Sequence, residues 1–229
     1  STSTLVFKLS PKVNAAGRMK HASIALELLM CDKLKDTINL LEQIRSINLE
    51  RREEDKKTTK EALIQIKDRE EELFSSTLVH HDNWHPGIIG IVAARLKDKL
   101  NKPVILISLE NDIGKASARS ITGFDIGSVI ISATQENILI KGGGHKMAGG
   151  FSIKIENIDK FKNFVIRRFK NINEDISKEK PIFLDDVISP SAINLEFFNK
   201  VALLSPFGPG NPEPKFAIED LNTINGKIV

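Results

Sequence analysis

The chain has 229 residues, a formal net charge of +3 and a hydrophobic fraction of 41%. This is ordinary for a globular protein, and no apolar run reaches the ~18 residues of a membrane helix, so no membrane association is expected. The single Cys31 excludes a disulfide framework and fits a reducing, cytoplasmic setting. The mild positive charge permits nucleic-acid binding without arguing for it. The chain opens STSTLVFKLS, with neither an initiator Met nor the pattern of a secretory signal, and reads as a piece of a longer protein.

Residues 22 to 30, ASIALELLM, read as a short apolar helix, and Asp32 as the cap of a much longer one. Ile38, Leu41, Ile44 and Ile47 form its helical stripe, which resumes at Leu63, Ile64 and Ile66. Between Glu50 and Glu61 it is polar on every face, as in helices that bridge domains through solvent. A connector of roughly forty residues would span ~60 Å.

Beyond it TLVHH reads as a strand and GIIGIVAARLKDKL as an amphipathic helix with Pro86 at its first position. PVILISL is a buried strand, KASARSI another, and DIGSVIISATQ a helix with Asp125 near its start. The glycine-rich KGGGHKMAGG reads as a loop, followed by FSIKI as a strand and NIDKFKNFVIRRF as a helix. This alternation predicts an α/β layered domain with a mixed sheet. From Lys180 onward, KPIFLDDVIS and PEPKFAIEDL look like short strands around the proline-rich SPFGPGNPEP, giving a third, partial β unit. The boundaries fall at residues 1–31, 32–75, 76–175 and 176–229.

Four segments could carry chemistry. In KGGGHKMAGG, glycines Gly142, Gly143 and Gly144 let backbone come close to a guest, and Lys141, His145 and Lys146 add donors or charge. A phosphate suits it, although the spacing is not that of a Walker loop and a tight turn would explain the glycines as well. In SARSITGFD, Ser117 and Arg119 share one face of a strand beside Ser120, and a hydroxyl next to an arginine fork clamps phosphate. A solvent-facing edge strand is the plainer alternative. In HHDNWHPGIIG, Trp84 and His85 could line a cleft, while His80, His81, Asp82 and His85 lack zinc spacing. In NAAGRMKHAS, Arg18 could reach a phosphate or simply be solvated. No acidic cluster suited to a two-metal site stands out.

In their order along the chain, PKVNAAGRMKHASIALELL, WHPGIIGIVAARL, ARSITGFDI, GGGHKMAGGFSI and PFGPGNPEPKF resemble the C-terminal part of the RecJ family, single-stranded-DNA-specific 5′→3′ exonucleases of the DHH phosphoesterase superfamily. The resemblance runs from about Leu9 to Phe216. It implies the tail of a DHH catalytic domain, a long connector helix, a DHH-associated domain bearing the GGGH motif, and the start of an OB-fold. It implies His145 at the scissile phosphate, and Ser117, Arg119 and Arg18 around the 5′ phosphate. Gly142, Gly143, Gly144, Lys146 and Ser120 would add phosphate contacts. Mn²⁺ or Mg²⁺ would serve the full-length enzyme in DNA repair and recombination. No metal would be held by this chain, which alone would be inactive. Single-stranded DNA is the implied partner, with a single-strand-binding protein or helicase as further ones. The alternatives are a phosphoesterase for cyclic dinucleotides or short oligonucleotides, and a non-catalytic nucleic-acid-binding module.

Overall fold

A computed structural model describes residues 9–67, 77–170, 182–208 and 210–219. The chain forms two compact units, dividing at residues 176 and 177.

The first unit opens with three helices. Helix α1 (Ser10–Met19) and helix α2 (Ser23–Met30) pack on the first half of helix α3 (Leu34–Lys67), around Ala16, Ala25 and Ile44. The second half of α3 buries Ala62 and Ile66 against helix α4 (Ile89–Leu100). The polar middle of α3 is covered on one face, while Arg52, Glu53, Lys56, Lys57 and Lys60 face solvent as its composition suggests. Asp55 and Thr58 are buried, at 6% and 0% exposure. The reason is a partner on α4: Arg95 donates to both carboxylate oxygens of Asp55, at 2.7 and 2.9 Å. A paired charge can be buried where a lone one cannot.

Five strands follow: β1 (Thr77–His81), β2 (Val104–Glu110), β3 (Ile113–Arg119), β4 (Lys141–His145) and β5 (Ala148–Lys154), in the order β1-β2-β3-β5-β4. β1 and β2 are parallel and joined through α4; the other pairs are antiparallel, giving the expected mixed sheet. The period of two assigns the faces. Val104 and Leu106 face α4, whereas Ile105 and Ile107 join the core built with helix α5 (Ile126–Gln135) and helix α6 (Ile158–Lys170). A strand covered on both sides must be apolar at every position, which accounts for the run VILI.

Two expectations are corrected. KGGGHKMAGG is a β-hairpin, β4 and β5 turning at Lys146 and Met147, because its glycines allow close pairing. Helix α4 starts at Ile89, and Pro86 lies in the turn before it.

In the second unit β6 (Asp186–Val187) pairs in parallel with β7 (Phe216–Ala217). Between them lies helix α7 (Leu195–Ala202), which the reading as short strands does not anticipate. Asn194 caps it, accepting from the Phe197 N–H at 2.9 Å. Among the described residues no helix is long and apolar enough to cross a membrane.

Candidate phosphate-binding site

The site lies at one end of the five-stranded sheet, where register fixes which side chains share a face. Ser117 on β3 pairs with Gly150 on β5, and Gly150 with Gly143 on β4. One step along, Arg119 pairs with Ala148 and Ala148 with His145. Directly paired residues point to the same side, and so do residues two apart on a strand. Ser117, Arg119, Gly143 and His145 therefore occupy one face, in two rows, with Gly150 and Ala148 as a low floor between them. Two strand spacings, ~10 Å, separate the β3 backbone from that of β4.

The β3 side is tightly organised. Arg119 Nη1 donates to Ser117 Oγ at 3.0 Å and to the Ala118 carbonyl at 2.8 Å. The pair lies over the first turn of α4, where Gly90 makes room. A Cβ at Gly90 would stand 3.1 Å from Ser117 Oγ and 3.2 Å from Arg119 Nη2. From the last turn of α1, Arg18 Nη1 donates to the Gly87 carbonyl at 3.4 Å. Burial, and then the charge of nearby Arg18, hold the Arg119 guanidinium below the usual arginine pKa. An anion between these two cations would relieve that repulsion.

The β4 side is open. His145 and Lys146 are exposed. His145 Nδ1 accepts from the Met147 N–H at 3.3 Å. In the neutral ring the proton then sits on Nε2, which is a donor. The hairpin rests on the start of α5. The Ile126 N–H donates to the Lys146 carbonyl at 3.3 Å, and a Cβ at Gly127 would meet His145 backbone atoms at 2.9 to 3.0 Å. Asp125 caps α5 by accepting from the Ser128 N–H at 3.0 Å. That hydrogen bond lowers the Asp125 pKa.

The three glycines have different reasons to be glycine. A Cβ at Gly142 would fall 2.6 Å from Ile130 Cγ2, and one at Gly144 would fall 2.6 Å from the Gly149 Cα. Both are required by packing. At Gly143 a Cβ would meet nothing within 4 Å. Gly143 alone of the three points across the open face.

Other expected site residues lie elsewhere. Ser120 is fully buried and its hydroxyl donates to the Phe124 carbonyl at 2.7 Å, so it is spent on the fold. Trp84 is 2% exposed, and its indole N–H donates to Glu61 at 2.8 Å, pinning α3 to the sheet rather than lining a cleft. His85 is half-buried, its Nδ1 accepting from the Gly87 N–H at 3.0 Å, which shapes the turn beside Arg18. Sequence reasoning missed Gly90, Ala148 and Gly150. For Ala148 and Gly150 the signal was small residues at alternate positions opposite the GGGH strand, legible only with the hairpin register in hand; for Gly90 it was a glycine in the first turn of a helix. Among the described residues no three His, Cys, Asp or Glu gather as for a metal ion.

Residues 70–171 match the model of the DHHA1 domain, and residues 184–229 that of the RecJ OB domain. The chain is 31% identical over 223 residues to the single-stranded-DNA-specific exonuclease RecJ of Bacillus subtilis, covering 95% of this chain and 28% of that protein. It is 31% identical to the RecJ of Haemophilus influenzae, covering 94% of this chain and 39% of that protein. The chain thus spans well under half of these relatives. Crystal structures of Thermus thermophilus RecJ with Mn²⁺ and with Mg²⁺ superpose with TM-scores of 0.83 and 0.81 at 27% identity. They cover 95% and 93% of this chain, and 32% and 33% of those chains. By its two domains, their order and these relatives, the chain belongs to the RecJ family of the DHH superfamily.

Proposed function

We propose that this chain is the DNA- and phosphate-holding part of a single-stranded-DNA 5′→3′ exonuclease. The observation that carries this reading is the shared face of Ser117, Arg119, Gly143 and His145 over the floor of Ala148 and Gly150. Arg119, Ser117 and Arg18 would hold the 5′-terminal phosphate. The His145 Nε2–H would donate to a phosphate oxygen where negative charge develops during cleavage. The low floor between them would let a sugar–phosphate chain lie across the sheet. A clamp on the strand end, a fixed distance from the donor, would set the cleavage step.

The Thermus relatives were crystallised with Mg²⁺ or Mn²⁺. The described residues of this chain do not fit such an ion, since no three candidate ligands gather. The proposed activity belongs to the whole protein, in a bacterial cytoplasm, with a single-strand-binding protein or a helicase as candidate partners. The match to the RecJ OB domain at residues 184–229 favours long strands over dinucleotides as substrate, since OB-folds hold extended single strands.

The test is fluorescence anisotropy with a labelled oligonucleotide. The chain is expected to bind a 5′-phosphorylated single strand more tightly than its 5′-hydroxyl form or a duplex, with steep salt dependence. Equal binding of all three, or binding unchanged in Arg119→Ala/His145→Ala, would overturn the reading.

A further inference from the structure

Arg18 stands between the clamp and a second group of arginines that the clamp does not use. Lys20, two residues on, pairs with Glu50 of α3 at 3.8 Å, which brings the end of α1 beside Arg51. Arg51 lies one turn before Asp55 on α3, and Asp55 holds Arg95 of α4. Arg119, Arg18, Arg51 and Arg95 thus follow one another across four elements. Among the described residues the one carboxylate hydrogen-bonded to any of the four is Asp55, and Arg95 takes it with both arms. Arg51 donates to a neutral group, Asn48 Oδ1 at 3.3 Å, as Arg18 and Arg119 donate to neutral oxygens. The series holds more positive charge than its one anion balances, next to a clamp suited to one phosphate. Burial lowers the Arg51 pKa, Asp55 raises it, and Arg18, Arg52 and Arg95 lower it further.

We infer that Arg51, beside Arg18, forms a second phosphate subsite next to the Ser117–Arg119 clamp. It takes a second phosphoryl group linked to the one in the clamp. That group has two possible sources: the next phosphodiester of the strand, or a further phosphoryl on the 5′ end. Asp55 is a positioning residue here: by occupying Arg95 it holds α3 against α4 and leaves Arg51 to the ligand. This inference rests on the clamp proposed above.

The experiment is titration calorimetry on the 229-residue chain with three probes: a nucleoside 5′-monophosphate, a 5′-phosphorylated dinucleotide and a nucleoside 5′-diphosphate. The wild-type chain is expected to favour at least one two-phosphate probe over the monophosphate by about tenfold, the worth of one charged hydrogen bond. Preference for the dinucleotide assigns the subsite to the strand, and preference for the diphosphate assigns it to the 5′ end. Arg51→Gln should erase the preference while leaving monophosphate binding unchanged, and Arg51→Lys, which keeps the charge, should restore part of it. No preference in the wild type, or an Arg51→Gln that weakens all three probes equally, overturns the inference. Arg119→Gln is the separate control: it should weaken all three, and if it weakens none, the clamp itself fails. A thermal melt of each variant guards against unfolding. If Arg51→Gln unfolds, Arg51→Lys decides: a preference identical to wild type overturns the subsite, and a reduced one supports it.

Discussion

The two sides of the site share one sheet face and two pairing rows, yet differ in how they are supported. On β3, Ser117 and Arg119 are half-buried, hydrogen-bonded to each other and seated on α4. On β4, Gly143 and His145 are exposed, and α5 supports them from the opposite face. Side chains held in place before a ligand arrives lose little entropy on binding and contribute affinity. An exposed donor over an open floor contributes less to affinity and can serve the chemical step, where charge changes. On the proposed reading, this difference divides holding and cutting between two strands of one sheet, each seated on its own helix.

The largest effect should come from undermining the seat of β3. Arg95→Ala removes the partner of Asp55 and leaves a buried carboxylate unpaired. Because Arg95 itself is half-exposed, the expected destabilisation is roughly 3 kcal/mol, at the lower end for a broken buried pair. Urea denaturation measures it. Asp55→Asn/Arg95→Met, which removes both charges, should recover most of the loss; equal instability in single and double variants would refute the pairing argument.

This pair also marks where the sequence was legible and where it was not. The strands and helices of the α/β domain could be read because each has a strong period or a marked end, as with Asp125 capping α5 and the fully apolar β2. The candidate residues Arg18, Ser117, Arg119 and His145 could be named because the chemistry that suits a phosphate is local to each side chain. The buried middle of α3 could not, because Asp55 is paired with a residue forty positions away. The same limit hid the roles of Ser120 and Trp84, whose polar atoms are taken by Phe124 and Glu61. A residue type announces capacity, and only the tertiary partner shows whether that capacity is still free.

The glycine triplet sharpens the comparison within β4. Gly142→Ala should destabilise the chain by about 2 kcal/mol, because the added methyl is forced against the side chains of Ile130 and Phe151. Gly143→Ala, one position on, should fold as well as wild type or gain ~0.5 kcal/mol, since alanine suits a strand better than glycine. It should nevertheless weaken binding of single-stranded DNA, because its methyl enters the open face. Thermal melts beside binding titrations separate the two; a Gly143→Ala chain with unchanged affinity would show that the ligand does not cross β4.

Single substitutions on the face should then separate holding from cutting. Arg119→Ala is expected to lower affinity for 5′-phosphorylated single strands by about tenfold and to reduce the salt slope by about 1. His145→Ala should change affinity by less than about threefold. In the whole protein its effect should fall mainly on turnover. Equal losses of affinity from the two variants would contradict the division between the strands.

The last effect concerns the support beneath β4, and it depends on pH. The Ser128 N–H hydrogen bond lowers the pKa of Asp125 in the folded state relative to the unfolded chain. The unfolded state therefore binds the proton more readily. The stabilisation from this cap is fully present above the unfolded carboxylate value, near ~3.9, and is lost as pH falls through the folded value. Asp125→Ala should destabilise the chain by about 1 kcal/mol at neutral pH, a normal figure for a lost helix cap. The gap between wild type and variant should close as the solution is acidified below about pH 4. Because α5 also carries the hairpin through Ile126 and Gly127, amide exchange in β4 should quicken in the variant while that in β3 stays as it was. Quickening in both strands together would mean that the two sides of the site open as one unit, and the division drawn between them would not hold.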